Sequence, residues 1–190
     1  TVVRKEKDLG VLINDTLKFH QQTAAVVGRA NKILGLIKRA FISLEADTLP
    51  ILFKTMVRPH LEYANPVWGP TSRADQDAVE RVQRRATKLV HSVRHLDYQS
   101  RLRALKLPSM FYRRQRGDLI TVFQILTGNL KVRENYLLER DPSLRTRSHG
   151  LKLKQPRVST QLRQASFCSR VVPSWNGLPA EVVSAPNVNI

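Results

Sequence analysis

The amino-acid sequence predicts a mainly α protein, with a short N-terminal β-hairpin, a helical bundle and a loop-rich C-terminal segment. Three observations carry that expectation. Apolar residues recur at threes and fours through much of residues 17–128, the spacing of one helix face. Strand-like runs are confined to Val2-Val3 and residues 9–13, the second ending at the turn-forming pair Asn14-Asp15. Beyond Gly128 the pairs Asp141-Pro142, His149-Gly150 and Gln155-Pro156 interrupt any long element. The expected divisions are therefore 1–16, 17–128 and 129–190. A hydrophobic content of 42% in 190 residues is enough for a folded core, one that buries roughly two-thirds of the unfolded surface.

Each element has its own signals. Phe19, Thr23, Val26, Ala30, Ile33, Ile37 and Phe41 form one face of a long helix over residues 17–41. Gly35 inside it costs about 1 kcal/mol relative to Ala, so close helix packing is the expected reason for it. Asp47 is placed to cap a second helix with Pro50 in its first turn, running to Val57, where Arg58-Pro59 breaks or kinks it. The stretch from Asn65 through Pro66 to Pro70 is expected as a loop. Ser72 and Asp75 resemble a capping box opening a helix to about Val93. A short amphipathic helix should cover residues 99–105. Ser109 then caps another helix that runs to Leu126 and stops at Gly128. A last short helix is expected over residues 164–172, followed by the turn Trp175-Asn176-Gly177-Leu178-Pro179.

Charge is the strongest functional signal. The chain has 32 Lys+Arg against 15 Asp+Glu, a net +17. Residues 81–116 hold eleven of the bases and a single acid, Asp97. On a wheel turning about 100° per residue from Arg81, Arg85, Lys88 and Arg84 cluster at about 40°, 340° and 300°. Val79, Val82, Ala86, Leu89, Val90 and Val93 fill the arc from about 80° to 180°. The helix should bury its aliphatic side and leave Arg81, Arg84, Arg85 and Lys88 in a row facing out, with no acid four residues further on to relieve them. Arg113, Arg114 and Arg116 lie in the first turns of their helix, where the dipole disfavours cations. Such placements point to a polyanion, bound through its phosphates with little sequence preference.

Other classes are excluded or disfavoured. The longest uncharged run is residues 119–130, too short for the roughly 20 residues of a membrane span, and charged residues from Arg4 to Asp8 interrupt any signal peptide. The expected location is nuclear or cytoplasmic, not secreted. Cys168 is the only cysteine, so neither a disulfide framework nor a cysteine zinc site can form; beside Phe167 it reads as a buried structural thiol. His91 and His95 have metal-chelating spacing but lack a third ligand nearby. No paired carboxylates suit two-metal catalysis, and no glycine-rich phosphate loop occurs. The chain opens on Thr1, and its first methionine is Met56, which leads to the expectation of a piece of a longer protein.

Several strings resemble the non-LTR (LINE-type, jockey-like) retrotransposon reverse transcriptases. In order they are Lys7-Asp8-Leu9-Gly10-Val11 with Phe19-His20, Ala30-Asn31-Lys32-Ile33-Leu34-Gly35, and Val57-Arg58-Pro59-His60-Leu61-Glu62-Tyr63-Ala64 with Val67-Trp68. The segment from Glu80 to Lys88, the string Arg113-Arg114-Gln115-Arg116-Gly117-Asp118, and the end from Arg170 to Pro179 continue the likeness. The resemblance implies a region that follows the polymerase palm. Leu9 and Gly10 would belong to a primer-grip-like hairpin, residues 17–128 to a thumb-like domain, and residues 129–190 to a basic extension. The partner would be an RNA/DNA template-primer, with the upstream palm of the parent polymerase alongside. The catalytic aspartates and the Mg2+ they use belong to that palm. No catalytic residue, metal ligand or cofactor is expected in this chain, which should be inactive as a polymerase alone. The alternative is a free-standing, non-catalytic nucleic-acid-binding or scaffold protein. Tyr63, Trp68 and Trp175 are expected as core anchors, and Glu62, beside Arg58, is a candidate for an internal ion pair whose partner the sequence does not fix.

Overall fold

The computed structural model describes residues 4–132, 137–142 and 149–188; the strand expected at Val2-Val3 lies outside them. The fold is mainly helical with one two-stranded antiparallel hairpin at the start. Two compact units are present, Thr1–Arg114 and Gln115–Ile190, and each has its own apolar cluster.

In the first unit β1 (Lys5–Asp8) pairs with β2 (Val11–Asn14), and Asp8 stands opposite Val11. Leu9 and Gly10 are therefore the two-residue turn, not the start of a strand. Both have positive φ, 42° and 87°, the combination whose twist matches the flanking strands. Gly10 adopts it freely, whereas Leu9 is held there with its side chain 84% exposed. Two contacts fasten the hairpin to the helices: Tyr63 Oη donates to the Leu9 carbonyl at 2.9 Å, and the Leu12 N–H donates to the buried Gln22 Oε1 at 2.9 Å.

Helix α1 (His20–Ala40) begins later than periodicity predicts, because Leu17 and Phe19 take left-handed backbone angles. Its inner face is Thr23, Ala30, Leu34 and Ile37, and Phe41 is exposed. Gly35 meets nothing closer than an Arg39 guanidinium nitrogen, 4.0 Å from where a Cβ would sit. Close helix packing is therefore not its explanation.

Pro59 does not break the next helical run. α2 (Thr48–Leu52) passes into a π-turn (Phe53–Val57) and then into α3 (Arg58–Glu62). The Arg58 N–H bonds back to the Phe53 carbonyl, five residues earlier. That widened turn lets Pro59 enter as if at a fresh N-terminus, where its missing N–H is not needed. Asn65–Trp68, expected as loop, likewise forms one helical turn, α4, with Pro66 in its first positions and Ala64 in the left-handed region before it. Trp68 is fully buried, with its indole N–H bonded to the Tyr63 carbonyl.

α5 (Arg73–Thr87) opens on the predicted cap: Ser72 Oγ accepts from the Asp75 N–H at 3.1 Å and donates to its carboxylate at 2.7 Å. It stops six residues short of Val93. Val90 swings to an extended conformation and forms a parallel bridge with Leu44, and a 3₁₀ turn (His91–Val93) follows. The helical spacing of His91 and His95 is lost there. α6 (Tyr98–Ala104) is capped by Asp97, and α7 (Met110–Leu126) follows Ser109, whose Oγ accepts from the Tyr112 N–H. The first core lies among α1, α5 and the α2–α3 run, with Leu49, Phe53, Val57, Leu61, Val79 and Val82 fully inside.

The second unit holds the last part of α7 with α8 (Gln161–Ala165), α9 (Phe167–Asn176) and α10 (Ala180–Val183). The helix expected at 164–172 is two helices split at Ser166, whose ψ of 151° is extended. Trp175 is buried, and its indole N–H donates to the Leu151 carbonyl at 2.8 Å. Asp118 and Arg170 form a two-pronged ion pair at 2.9 and 3.2 Å.

Candidate nucleic-acid interface

α5 presents three faces. Val79, Val82 and Ala86 are fully buried in the first core. Arg81, Arg84, Arg85 and Lys88 are all exposed, as the wheel requires. Between these lies a buried polar strip of Glu80, Gln83 and Thr87 that faces the chain following α5. Gln83 Nε2 donates to the Pro108 carbonyl at 2.9 Å, and Thr87 Oγ1 accepts from Arg101 Nε at 3.0 Å. Glu80 accepts from the N–H groups of Met110 at 3.3 Å and Phe111 at 3.1 Å, and from the Tyr98 hydroxyl. Its carboxylate thus sits at the N-terminus of α7, where negative charge is stabilised. Burial first, then the bond to Glu80, pushes the Tyr98 hydroxyl far above its ordinary range.

The four exposed cations line one open groove of about 370 Å³ with an apolar floor of Val27, from α1, and Ala78. From Arg81 to Lys88 the row spans about 10 Å at 1.5 Å per residue. Arg85 Nε folds back on the Arg81 carbonyl at 3.3 Å, and the Arg84 guanidinium rests 4.9 Å from the centre of the Tyr98 ring. Among the described residues, no carboxylate lines this groove. Of the three acids on α5, Glu80 is buried, Asp77 lies 4.0 Å from Arg73, and Asp75 holds Ser72 and His20. The His20 Nδ1 contact with Asp75, at 2.5 Å, ties the first turn of α1 to the first turn of α5. α1 itself carries Arg29, Lys32, Lys38 and Arg39 and no acid at all.

The remaining predicted cations do not join this row as a second exposed patch. Arg113 makes a two-pronged pair with Glu62, both bonds at 2.9 Å, and that pair raises its pKa. Arg58 also approaches Glu62, at 3.8 Å, so the partner the sequence left open is chiefly Arg113, with Arg58 more distant. Arg114 is 7% exposed, which removes it from any open surface. Arg116 is half-buried and belongs to the second unit. The awkward dipole position of these arginines thus has local causes: one carboxylate from α3 and burial. Arg101 is buried too, bonded to Thr87 and to the Leu96 carbonyl.

Leu9 and Gly10 stand at the exposed tip of the hairpin, held by Tyr63. That contact corrects the expectation for Tyr63, which is 57% exposed and acts as a strut instead of a core anchor. Sequence reasoning also missed Glu80, Tyr98 and Val27. Among the described residues, no group of three or more His, Cys, Asp or Glu comes together. No helix among them is long and apolar enough to cross a membrane.

Comparison of the chain with protein-family models, with curated proteins and with solved structures finds no match.

Proposed function

We propose that this chain is a nucleic-acid-binding module that grips a phosphate backbone through the α1–α5 groove, as the thumb-like part of a LINE-type reverse transcriptase. One observation carries the reading: Arg81, Arg84, Arg85 and Lys88 line a single groove without a carboxylate among them. Four like charges on adjacent turns repel each other by tenths of a kcal/mol per pair, and phosphates reverse that sign. Binding through backbone charge suits an A-form RNA/DNA duplex, whose deep major groove is closed to side chains. The order of the resembling strings supplies the rest: a palm upstream as partner, chemistry performed there, and work in the nucleus or cytoplasm.

The test is a salt titration of affinity for an RNA/DNA heteroduplex, followed by fluorescence anisotropy. Four neutralised phosphates give a slope of log K against log salt of about −3.6 by duplex values. Replacing Arg81, Arg84 and Arg85 together by Ala should weaken binding and make the slope shallower by about 2.7. An unchanged slope in the triple variant means the groove is not the binding face. Primer extension is expected to be absent with this chain alone, and any templated extension overturns that part of the reading.

A further inference from the structure

The second unit holds a larger cavity, of about 670 Å³, that the groove and its cations do not use. Its volume falls within the range of small-molecule sites. The apolar part includes Leu137, Leu138, Pro156 and Val172, with Leu138 and Val172 buried. Two exposed guanidiniums, Arg157 and Arg163, line it, and neither has a carboxylate within ion-pair distance among the described residues. Lys154 also lines it but is neutralised by Glu139 at 2.8 Å. Gln155, Ser169 and Glu139 add an amide, a buried hydroxyl and a carboxylate to the same wall.

Each half of this lining restricts the occupant. Two unneutralised guanidiniums favour an anionic head with several oxygens, because their forked N–H groups bind phosphate or carboxylate two at a time. A plain aliphatic tail would press hydrocarbon against the Gln155 amide, the Ser169 hydroxyl and the Glu139–Lys154 ion pair and strip them of water, which is costly. An inorganic anion would leave Leu138, Pro156 and Val172 uncovered. A flat body with both donors and acceptors on its edge satisfies the polar and apolar walls together. We infer that this cavity binds a nucleoside phosphate, with its phosphate on Arg157 and Arg163 and its base between the apolar wall and the polar groups. Arg guanidinium planes and apolar side chains are established surfaces for an unstacked base. The same chemistry can come from a free mononucleotide or from the phosphorylated end of a strand. The inference stands on this cavity alone and does not need the α5 groove.

Cys168, the only cysteine in the chain, lines the cavity and reports on it directly. Burial raises its pKa, so it should react slowly with a small neutral reagent such as iodoacetamide. In the full chain carrying the Arg81, Arg84 and Arg85→Ala substitutions, so that the groove cannot contribute, AMP, GMP, CMP and UMP are titrated against the alkylation rate. At saturation at least one should slow alkylation about threefold or more, whereas adenosine and inorganic phosphate at equal concentrations should not. A 5′-phosphorylated pentanucleotide that protects at far lower concentration identifies a strand end as the source; equal protection by mononucleotide identifies the free compound. Arg157→Gln with Arg163→Gln, both on exposed side chains, should abolish the ratio of rates with and without nucleotide. Absence of protection by every nucleotide and by the pentanucleotide, equal protection by phosphate, or protection that survives the double variant overturns the inference. None of these outcomes bears on the heteroduplex salt slope.

Discussion

Glu80 is the residue on which the polar contacts of the first unit converge. It accepts from Tyr98 and from two N–H groups that begin α7, and it is 9% exposed. A hydrogen bond to a charged group contributes about 1.5–3 kcal/mol. Glu80→Gln replaces one accepting oxygen by a donor, and we expect it to lower unfolding free energy by about 2 kcal/mol in urea titrations. Asp77→Asn, on the same helix but at an exposed pair, should change it by less than about 0.5 kcal/mol. Asp97 gives a pH effect with a definite sign. Its carboxylate caps α6 through the Gln99 and Ser100 N–H groups and the Ser100 hydroxyl, and the bonds from Ser100 chiefly hold its pKa below the ordinary value. A carboxyl more acidic when folded stabilises above its unfolded pKa, about 3.9, and that contribution disappears as pH falls through the folded value. Asp97→Asn, still a good cap, should therefore flatten the acid limb of the stability–pH curve below about pH 4 while leaving helicity at pH 7 unchanged; circular dichroism measures both.

The hairpin and α5 differ in how much of each could be read beforehand. On α5 the alternation of apolar and basic positions follows a 3.6-residue period, so the buried and cationic faces were both legible from spacing alone. Its third face was legible too in principle, since Gln83, Thr87 and Glu80 fall at about 200°, 240° and 260° on the same wheel, between the aliphatic arc and Arg84. Polar residues in that arc read as solvated until something packs over them, and what packs there comes from Tyr98, Arg101, Pro108 and the start of α7. The π-turn before Arg58 and the helical turn at Asn65 had no local signal, because proline marks a helix start and a helix break equally. Arg113 was misread for a related reason: its partner Glu62 is 51 residues away in sequence. The hairpin turn carries a prediction of its own. Leu9 sits at φ 42°, where a leucine costs about 1–2 kcal/mol and asparagine considerably less. Leu9→Asn should raise the urea midpoint by an amount equivalent to about 1 kcal/mol.

Across the whole chain the excess of base is shared, with 21 Lys+Arg against 10 Asp+Glu in residues 1–114 and 11 against 5 in residues 115–190. Such a balance works against compaction through self-repulsion and in favour of any polyanion. Raising sodium chloride from about 20 to 300 mM shortens the Debye length from roughly 20 to 6 Å. The thermal midpoint of the free chain should rise over that interval while heteroduplex affinity falls. Two curves moving in the same direction would show that the charge is balanced locally and is not a property of the chain. In the second unit, Asp141 N–H bonds to the Lys152 carbonyl and Lys154 N–H to the Glu139 carbonyl, a short antiparallel ladder about Arg140 and Leu153. The opposite side of Leu153 is taken by Asn176, whose amide accepts from the Leu153 N–H at 2.9 Å and donates to its carbonyl at 2.7 Å. A side chain there stands where a neighbouring strand would. An open strand edge is a template on which another chain can pair, and this one is shut at Leu153 by a residue that reads in sequence only as part of a turn. Asn176 thus satisfies both backbone groups of Leu153 that a neighbouring strand would otherwise take.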